Sequence, residues 1–313
     1  MRRVGILLGS AVANTSESQA SVAAFLQELA QLGWIEGRNL RIDSFWAVGS
    51  PDNVSEYAAE LATLAPALAA LGPDVILTNG TRTMEAMVRA TRTVPIVFVN
   101  VTDPSSAGFV DGAARPGGNA TGFTNFQYSI VTKWLELLKE ISPGVRRVGI
   151  LRDPVTTAGA EQWATIQAAA PSLGVEVIPA DLGREPEIMR AFAAFARSSD
   201  KSAKSGLIVT TSAFAITHRK LIINLAVQHK LPAIYFRRLF VAEGGLISYG
   251  ADLIQQYRQA AGYVDRILKG EKPADLPVQA PIKYELAINL KTAKTLDLTL
   301  PPALLGRADE IIE

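Results

Sequence analysis

The chain has 313 residues, with 31 basic and 30 acidic side chains, two histidines and no cysteine. This length suggests two domains of roughly 100–200 residues each, and the near-zero net charge excludes the basic surface that a nucleic-acid-binding protein needs. The missing cysteines exclude disulfides, thiolate nucleophiles, iron–sulfur clusters and thiolate zinc sites.

Short apolar runs alternate with segments of helical period along the first hundred residues. Strands are predicted at residues 4–8, 40–46, 75–78 and 96–101, and helices at 18–32, 54–70 and 83–91. Runs rich in valine, isoleucine and leucine are typical of parallel strands that are covered on both faces. The pattern therefore predicts an α/β fold.

The same order of elements recurs in the second half of the chain. The hexapeptide RRVGIL stands at residues 2–7 and again at 146–151, each time at the head of a strand–helix series. Further along, VILT at 75–78 matches LIVT at 207–210. An identity placed at the head of two equivalent series indicates duplication rather than chance. We predict two similar lobes, each a doubly wound parallel sheet.

Polar side chains are frequent in the loops that follow the predicted strands. Ligands of open α/β sheets bind outside the carboxyl ends of the strands, so two facing lobes would bring these loops to one cleft. The side chains are Ser10, Asn14, Thr78, Asn79, Thr81, Asp103, Asp153, Thr211, Ser212 and Tyr235. Aspartates can bind an ammonium group, whereas hydroxyls and helix N-terminal N–H groups can bind a carboxylate.

Each of these residues also has a structural interpretation. Ser10, Thr81 and Ser212 fit helix N-caps, and the Asp-Pro pairs at 103 and 153 fit turns. The aromatic rings at the strand ends could either stack on an apolar ligand group or pack in a core. These rings are Trp46, Phe214, Phe236 and Tyr249.

Few motifs indicate catalysis or a cofactor. The stretch RPGGNATG at residues 115–122 lacks the Lys-Ser/Thr ending of a P-loop and the glycine spacing of a dinucleotide site, so it predicts a turn before a crossover. His218 and His229 fit solvated or capping positions on one helix. Asp103 and Asp153 leave open an acid–base pair, and hence a small-molecule hydrolase or isomerase. We expect no cofactor and no metal.

Motifs throughout the chain resemble those of one family. They are LGWIEGRN at 32–39, ARPGGNATG at 114–122, GGLISYG at 244–250, YVDRILKGEKPADLP at 263–277 and LGRADEIIE at 305–313. On these motifs the chain resembles the ABC-transporter substrate-binding family related to tryptophan-type solute-binding proteins, which have the type I periplasmic-binding-protein fold.

The resemblance implies a non-enzymatic receptor that captures a small solute between two closing lobes and passes it to an ABC permease. The solute expected is an amino acid with an aromatic or other apolar side chain. Lobe 1 would comprise residues 1–121 with 251–283 and lobe 2 residues 122–250 with 284–313, joined by a three-strand hinge. By position, the family's ligand loops correspond to Ser10, Asn79, Gly80, Thr81, Asp103, Asp153, Thr211, Ser212 and Phe236, with Tyr249 and Asp252 at a crossover.

The resemblance also sets expectations for location and partners. Relatives normally carry an export signal, which this sequence lacks at its N-terminus, so we expect a signal that has been removed and a periplasmic or other extracytoplasmic monomer. Relatives commonly have Arg-Trp-Ala where this chain has Phe45-Trp46-Ala47, which makes the expected pocket mouth more apolar. The alternative is an effector-sensing module of a regulator with the same bilobed fold, although no helix-turn-helix segment precedes Val4.

Overall fold

The computed structural model describes residues 1–9, 15–47, 54–125, 129–154, 157–182, 185–196 and 204–313. The chain divides into two compact units, one comprising Met1–Phe126 and Asp252–Lys283 and the other Gln127–Ala251 and Tyr284–Glu313. None of the described helices combines the length and the hydropathy needed to cross a lipid bilayer.

The strands form one sheet in each unit. The first sheet contains β1 (Arg2–Leu8), β2 (Leu40–Trp46), β3 (Val75–Asn79), β4 (Ile96–Val101) and β5 (Ala120–Thr124). The second contains β6 (Val145–Arg152), β7 (Glu176–Asp181), β8 (Lys204–Val209), β9 (Ala233–Tyr235), β10 (Ile247–Ala251), β11 (Tyr284–Asn289) and β12 (Glu310–Ile312). All neighbouring strands are parallel except β10 and β11.

Helices connect the strands in both units. Up to residue 169 they are α1 (Ser16–Gln31), α2 (Val54–Ala70), α3 (Thr81–Ala90), α4 (Ser129–Ile141) and α5 (Thr157–Ala169). Beyond residue 169 they are α6 (Glu185–Ala196), α7 (Ala213–Thr217), α8 (Arg219–Gln228), α9 (Arg238–Ala242), α10 (Leu253–Leu268), α11 (Leu290–Thr295) and α12 (Pro302–Leu305). Single 3₁₀ turns occupy Ala170–Leu173 and Pro273–Asp275.

The two sheets repeat one strand order, which confirms the predicted fold class. The first runs β2-β1-β3-β4-β5, and the second contains β7-β6-β8-β9-β10 in the same arrangement. The repeated hexapeptide lies in β1 and in β6, which occupy the second position of these two spatial orders. The second sheet continues past β10 into β11 and β12.

The core of the first unit has apolar layers on both faces of its sheet. One layer packs Leu77 of β3 against α1 and α10, where Phe25 and Tyr257 are fully buried. The other packs Ile76 against α2 and α3, with Met84 fully buried. Successive strand residues point to opposite faces, so the continuous apolar run of β3 results from burial on both sides.

The chain crosses between the units after residues 126, 251 and 283, whereas the sequence predicted crossovers after 121, 250 and 283. The boundary after residue 121 falls within β5, whose register pairs Gly122 with Phe98 of β4 and so keeps the strand in the first unit. Gly122 has φ +152°, and a Cβ there would overlap the carbonyl oxygen of Phe98. A Cβ at Gly250 in β10 would overlap the carbonyl oxygen of Phe236 in the same way. Glycine is therefore required in each strand that precedes the first two crossovers.

Candidate functional site

Hydrogen bonds join the loops at the carboxyl ends of β3, β4 and β5 in the first unit. The Thr102 N–H donates to Thr81 Oγ1 at 3.3 Å, and the Thr102 hydroxyl donates to Asn125 Oδ1 at 3.0 Å. These three strands are neighbours in the sheet. Residues far apart in sequence are thereby gathered at one edge, as expected for parallel strands.

Asn79 lies within this network rather than at its surface. Its side chain is only 4% exposed. Its Nδ2 donates to the Tyr257 hydroxyl at 2.7 Å, and its Oδ1 accepts from Asn100 Nδ2 at 3.1 Å. The structure gives Asn79 a role in holding β3, β4 and α10 together, and its predicted ligand contact stays a prediction.

Gly80 and Thr81 form the start of α3. Gly80 occupies the N-cap position with φ +92°, and having no side chain it leaves the first turn without a side-chain cap. Its own N–H donates to the Val99 carbonyl at 3.0 Å. Backbone N–H groups at the start of a helix carry partial positive charge and attract anions. The first turn of α3 can therefore bind a carboxylate.

The end of β4 and the loop that follows it have an unusual backbone. Asn100 and Asp103 adopt positive φ angles of 57° and 39°, which residues with a Cβ rarely do. Asp103 is half-buried, and its Oδ1 accepts from the Ser106 N–H at 3.0 Å. Such conformations persist only where the surrounding structure maintains them, and they are concentrated at functional sites. This observation favours the loop that carries Asp103 as part of a site.

In the second unit, the loop after β8 is fixed by a buried glutamine. Gln162 of α5 is fully buried. Its Nε2 donates to Thr211 Oγ1 at 3.0 Å, and its Oε1 accepts from the Thr211 N–H at 3.0 Å. Ser212 is 4% exposed and caps α7 by accepting from the Ala215 N–H at 3.3 Å. The N-cap interpretation therefore holds for Ser212, and a ligand contact there stays a prediction.

The other candidates of the second unit differ in burial. Asp153 after β6 is 8% exposed and Phe236 after β9 is 6% exposed. The Phe236 ring packs 5.5 Å from that of Phe240, which is a core contact. Tyr249 is half-buried, with its ring 5.7 Å from that of Tyr284. Tyr249 is the better placed of the two aromatic candidates to meet a ligand.

The remaining candidate residues are Asp252, Ser10, Asn14 and Tyr235. Asp252 caps α10, with Oδ1 accepting from the Gln255 N–H at 2.9 Å and Oδ2 from Lys283 Nζ at 3.0 Å. One carboxylate oxygen thus caps α10, and the other binds the residue that precedes the third crossover. Ser10 lies outside the described residues, as does Asn14. Burial raises the pKa of Tyr235, so its phenol remains protonated at neutral pH.

Sequence reasoning overlooked several polar residues that lie inside the sites. Gln162, Gln256 and Tyr257 lie on apolar helix faces, and a buried polar residue within an apolar stripe is the signal that could have revealed them. Arg237 is 7% exposed directly after the apolar end of β9. Within the described ranges, no group of three His, Cys, Asp or Glu side chains forms a candidate metal site.

Comparisons with known proteins identify the family of this chain. Residues 12–312 match the family described as ABC transporter substrate binding protein. A tyrosine-binding protein of Clostridioides difficile (strain R20291) is 25% identical over 274 residues, covering 88% of this chain and 75% of the relative.

Solved structures show the same fold over nearly the whole chain. A conserved domain protein of Vibrio cholerae has a TM-score of 0.87 and 29% identity, covering 99% of both chains. An ABC domain of Streptococcus pneumoniae in complex with L-Trp has a TM-score of 0.87 and 23% identity, again covering 99% of both. The architecture is of the type I periplasmic-binding-protein kind, as predicted. The chain belongs to the ABC transporter substrate-binding protein family and is a non-enzymatic solute-binding protein of an ABC importer.

Proposed function

We propose that this protein captures an amino acid with an aromatic or other apolar side chain and delivers it, outside the cytoplasm and as a monomer, to the permease of its importer. Two comparisons support this choice of solute, since one relative is a tyrosine-binding protein and one structural neighbour contains L-Trp. The sequence at the β2 end, Phe45-Trp46-Ala47, is apolar and agrees with such a ligand.

The observation that carries the proposal is the placement of two opposite charges in the first unit. The 3.3 Å hydrogen bond from the Thr102 N–H to Thr81 Oγ1 holds the loop bearing Asp103 against the first turn of α3. An amino acid carries its ammonium and carboxylate on one carbon atom, so its receptor needs a negative group beside a positive one. Asp103 would bind the ammonium group. The backbone N–H groups in the first turn of α3, which begins at Thr81, would bind the carboxylate.

Asp103 can serve the turn and the ligand together. A carboxylate offers about four acceptor positions, so the bond from the Ser106 N–H does not by itself prevent a ligand contact. A hydrogen bond to a charged group contributes about 1.5–3 kcal/mol, equivalent to about 10- to 150-fold in affinity.

Isothermal titration calorimetry with L-tyrosine, L-tryptophan, L-leucine and glucose tests the solute class. We expect binding of the aromatic amino acids and none of glucose. Asp103→Asn keeps an oxygen for Ser106 but removes the charge, so affinity should fall by about 10- to 150-fold. Asp111→Asn, at an exposed aspartate of the following loop, is the matched control.

Two results would each overturn one part of the proposal. Absence of binding for every amino acid tested would reject the solute class. Unchanged affinity in the Asp103→Asn variant would reject the ammonium contact while leaving the class in place. For the second unit, Asp153→Asn and Tyr249→Leu test the remaining predicted contacts in the same titration.

A further inference from the structure

A buried glutamine on α10 joins the carboxyl ends of two strands in the first unit. Gln256 is 2% exposed. Its Nε2 donates to the Thr124 carbonyl of β5 at 2.9 Å, and its Oε1 accepts from the Asn100 N–H at 3.2 Å. The amide thus uses its donor and its acceptor on two different strands.

The acceptor end of Gln256 contacts a strained residue near the end of β4. Asn100 has φ 57° and lies three residues before Asp103. A left-handed backbone is disfavoured for a residue with a side chain, so it persists only where its surroundings fix it. The contact from Gln256 is one such constraint, and the bond from Asn100 Nδ2 to Asn79 is the other.

The helix that bears Gln256 is itself anchored at both of the crossovers beside it. Its cap residue, Asp252, pairs with Lys283, and the Gln256 N–H donates to the Asp252 carbonyl at 3.3 Å. The next residue, Tyr257, is fully buried and accepts the bond from Asn79 on β3. Two consecutive residues of α10 therefore hold the ends of β3, β4 and β5 in one arrangement.

We propose that Gln256 is a positioning residue of the solute site, which holds Asn100 in its left-handed conformation and so places Asp103 for the ligand's ammonium. This rests on the proposed function. Without the Gln256 oxygen, the Asn100 N–H loses its acceptor, and the backbone gains by relaxing to negative φ. The loop from Asn100 to Asp103 would then take another course.

The test compares two substitutions with a control on the same helix. Gln256→Leu removes both bonds, whereas Gln256→Glu keeps an acceptor for Asn100 and loses the donor to Thr124. Gln259→Leu makes the same change at a half-buried glutamine three residues further along α10. The probes are L-tyrosine and 3-(4-hydroxyphenyl)propionate, which lacks the ammonium group.

We expect Gln256→Leu to weaken L-tyrosine binding by about 10-fold or more, since the contact at stake is a charged hydrogen bond. Binding of the propionate should change by less than about 2-fold in the same variant, and Gln256→Glu should lie between wild type and Gln256→Leu for L-tyrosine. If Gln256 only stabilised the fold, its loss would weaken the binding of L-tyrosine and of the propionate equally, or would change neither. Gln259→Leu should leave both unchanged.

A rescue experiment tests the cause directly. Glycine adopts positive φ at no steric cost, so adding Asn100→Gly to Gln256→Leu should bring L-tyrosine affinity to within about 3-fold of Asn100→Gly alone. If Gln256→Leu does not fold, the Gln256→Glu variant carries the comparison. Hydrogen exchange of the unliganded protein supplies a second measurement, in which loss of Gln256 should speed exchange at Asn100.

The outcomes separate this proposal from the one on which it rests. If the wild type binds neither L-tyrosine nor L-tryptophan, the proposed function fails first and this inference with it. If the wild type binds and Asp103→Asn weakens binding, but Gln256→Leu and Gln256→Glu bind like the wild type, only the positioning role is rejected. Unchanged exchange at Asn100 in the Gln256→Leu variant would reject it as well.

Discussion

Replacing Tyr257 by phenylalanine removes one oxygen atom from the buried network of the first unit. The hydroxyl accepts from Asn79 Nδ2 at 2.7 Å, and the two residues are 0% and 4% exposed. The ring stays in place, so no cavity forms and the cost arises from lost hydrogen bonding, which includes the bond from Asn79. Leaving a buried donor without its partner costs about 1–3 kcal/mol.

A loss of about 1–3 kcal/mol corresponds to a melting temperature lower by about 2–12 °C for a unit of this size. Scanning calorimetry of Tyr257→Phe, Asn79→Ala and the double variant measures the loss and the coupling between the two residues. We expect a coupling energy of about 0.5–3 kcal/mol. Tyr249→Phe is the control, because solvent can satisfy the hydroxyl of that half-buried tyrosine.

A melting temperature of Tyr257→Phe within about 1 °C of the wild type would contradict this reasoning. So would strict additivity of the two single variants, because it would mean that Asn79 and Tyr257 do not depend on each other. In either case Asn79 would have to find an acceptor elsewhere, and the argument that α10 fixes the end of β3 would fail.

Two further predictions concern stability. Arg3 donates from Nε to Asp43 Oδ2 at 2.5 Å and lowers the pKa of that carboxyl group. A lowered pKa in the folded state stabilises the protein above the unfolded value of about 4 and loses that effect as the pH falls through the folded value. Asp43→Asn should therefore lower the melting temperature at pH 7, and the difference from wild type should shrink below about pH 4; a constant difference would contradict the assignment. Thr78 is fully buried in β3, and its hydroxyl makes no hydrogen bond to any described residue. Thr78→Val should raise stability by about 1 kcal/mol in denaturant titration, and a loss would reveal a partner for the hydroxyl.

The sequence was informative wherever local pattern determines structure. The strands at 40–46 and 96–101 and the helix at 54–70 were predicted to the residue. The repeated RRVGIL predicted the common strand order of the two sheets, since equivalent segments of similar sequence bury equivalent faces. The family motifs led to the correct family.

The candidate site was less predictable because its bonds connect distant parts of the chain. Gln256 and Tyr257 contact residues that lie 132 to 178 positions away. The hydrophobic pattern of an amphipathic helix does not indicate which of its glutamines contacts the end of a strand. Asp252 was predicted from its position at a crossover, and the structure adds contacts that the position did not indicate, with the helix N-terminus and Lys283. Its ligand contact stays a prediction.

The interleaved course of the chain has a consequence for its synthesis. Helix α10 supplies ten buried residues to the first unit but is translated only after β6 to β10 of the second. Until α10 leaves the ribosome, one face of the first sheet is covered by α1 but lacks α10, and β11 and β12 are still missing from the second sheet. Neither unit can therefore finish folding before the other is nearly made, unlike domains that fold one after another as they emerge. Each unit thus completes its core only late in translation.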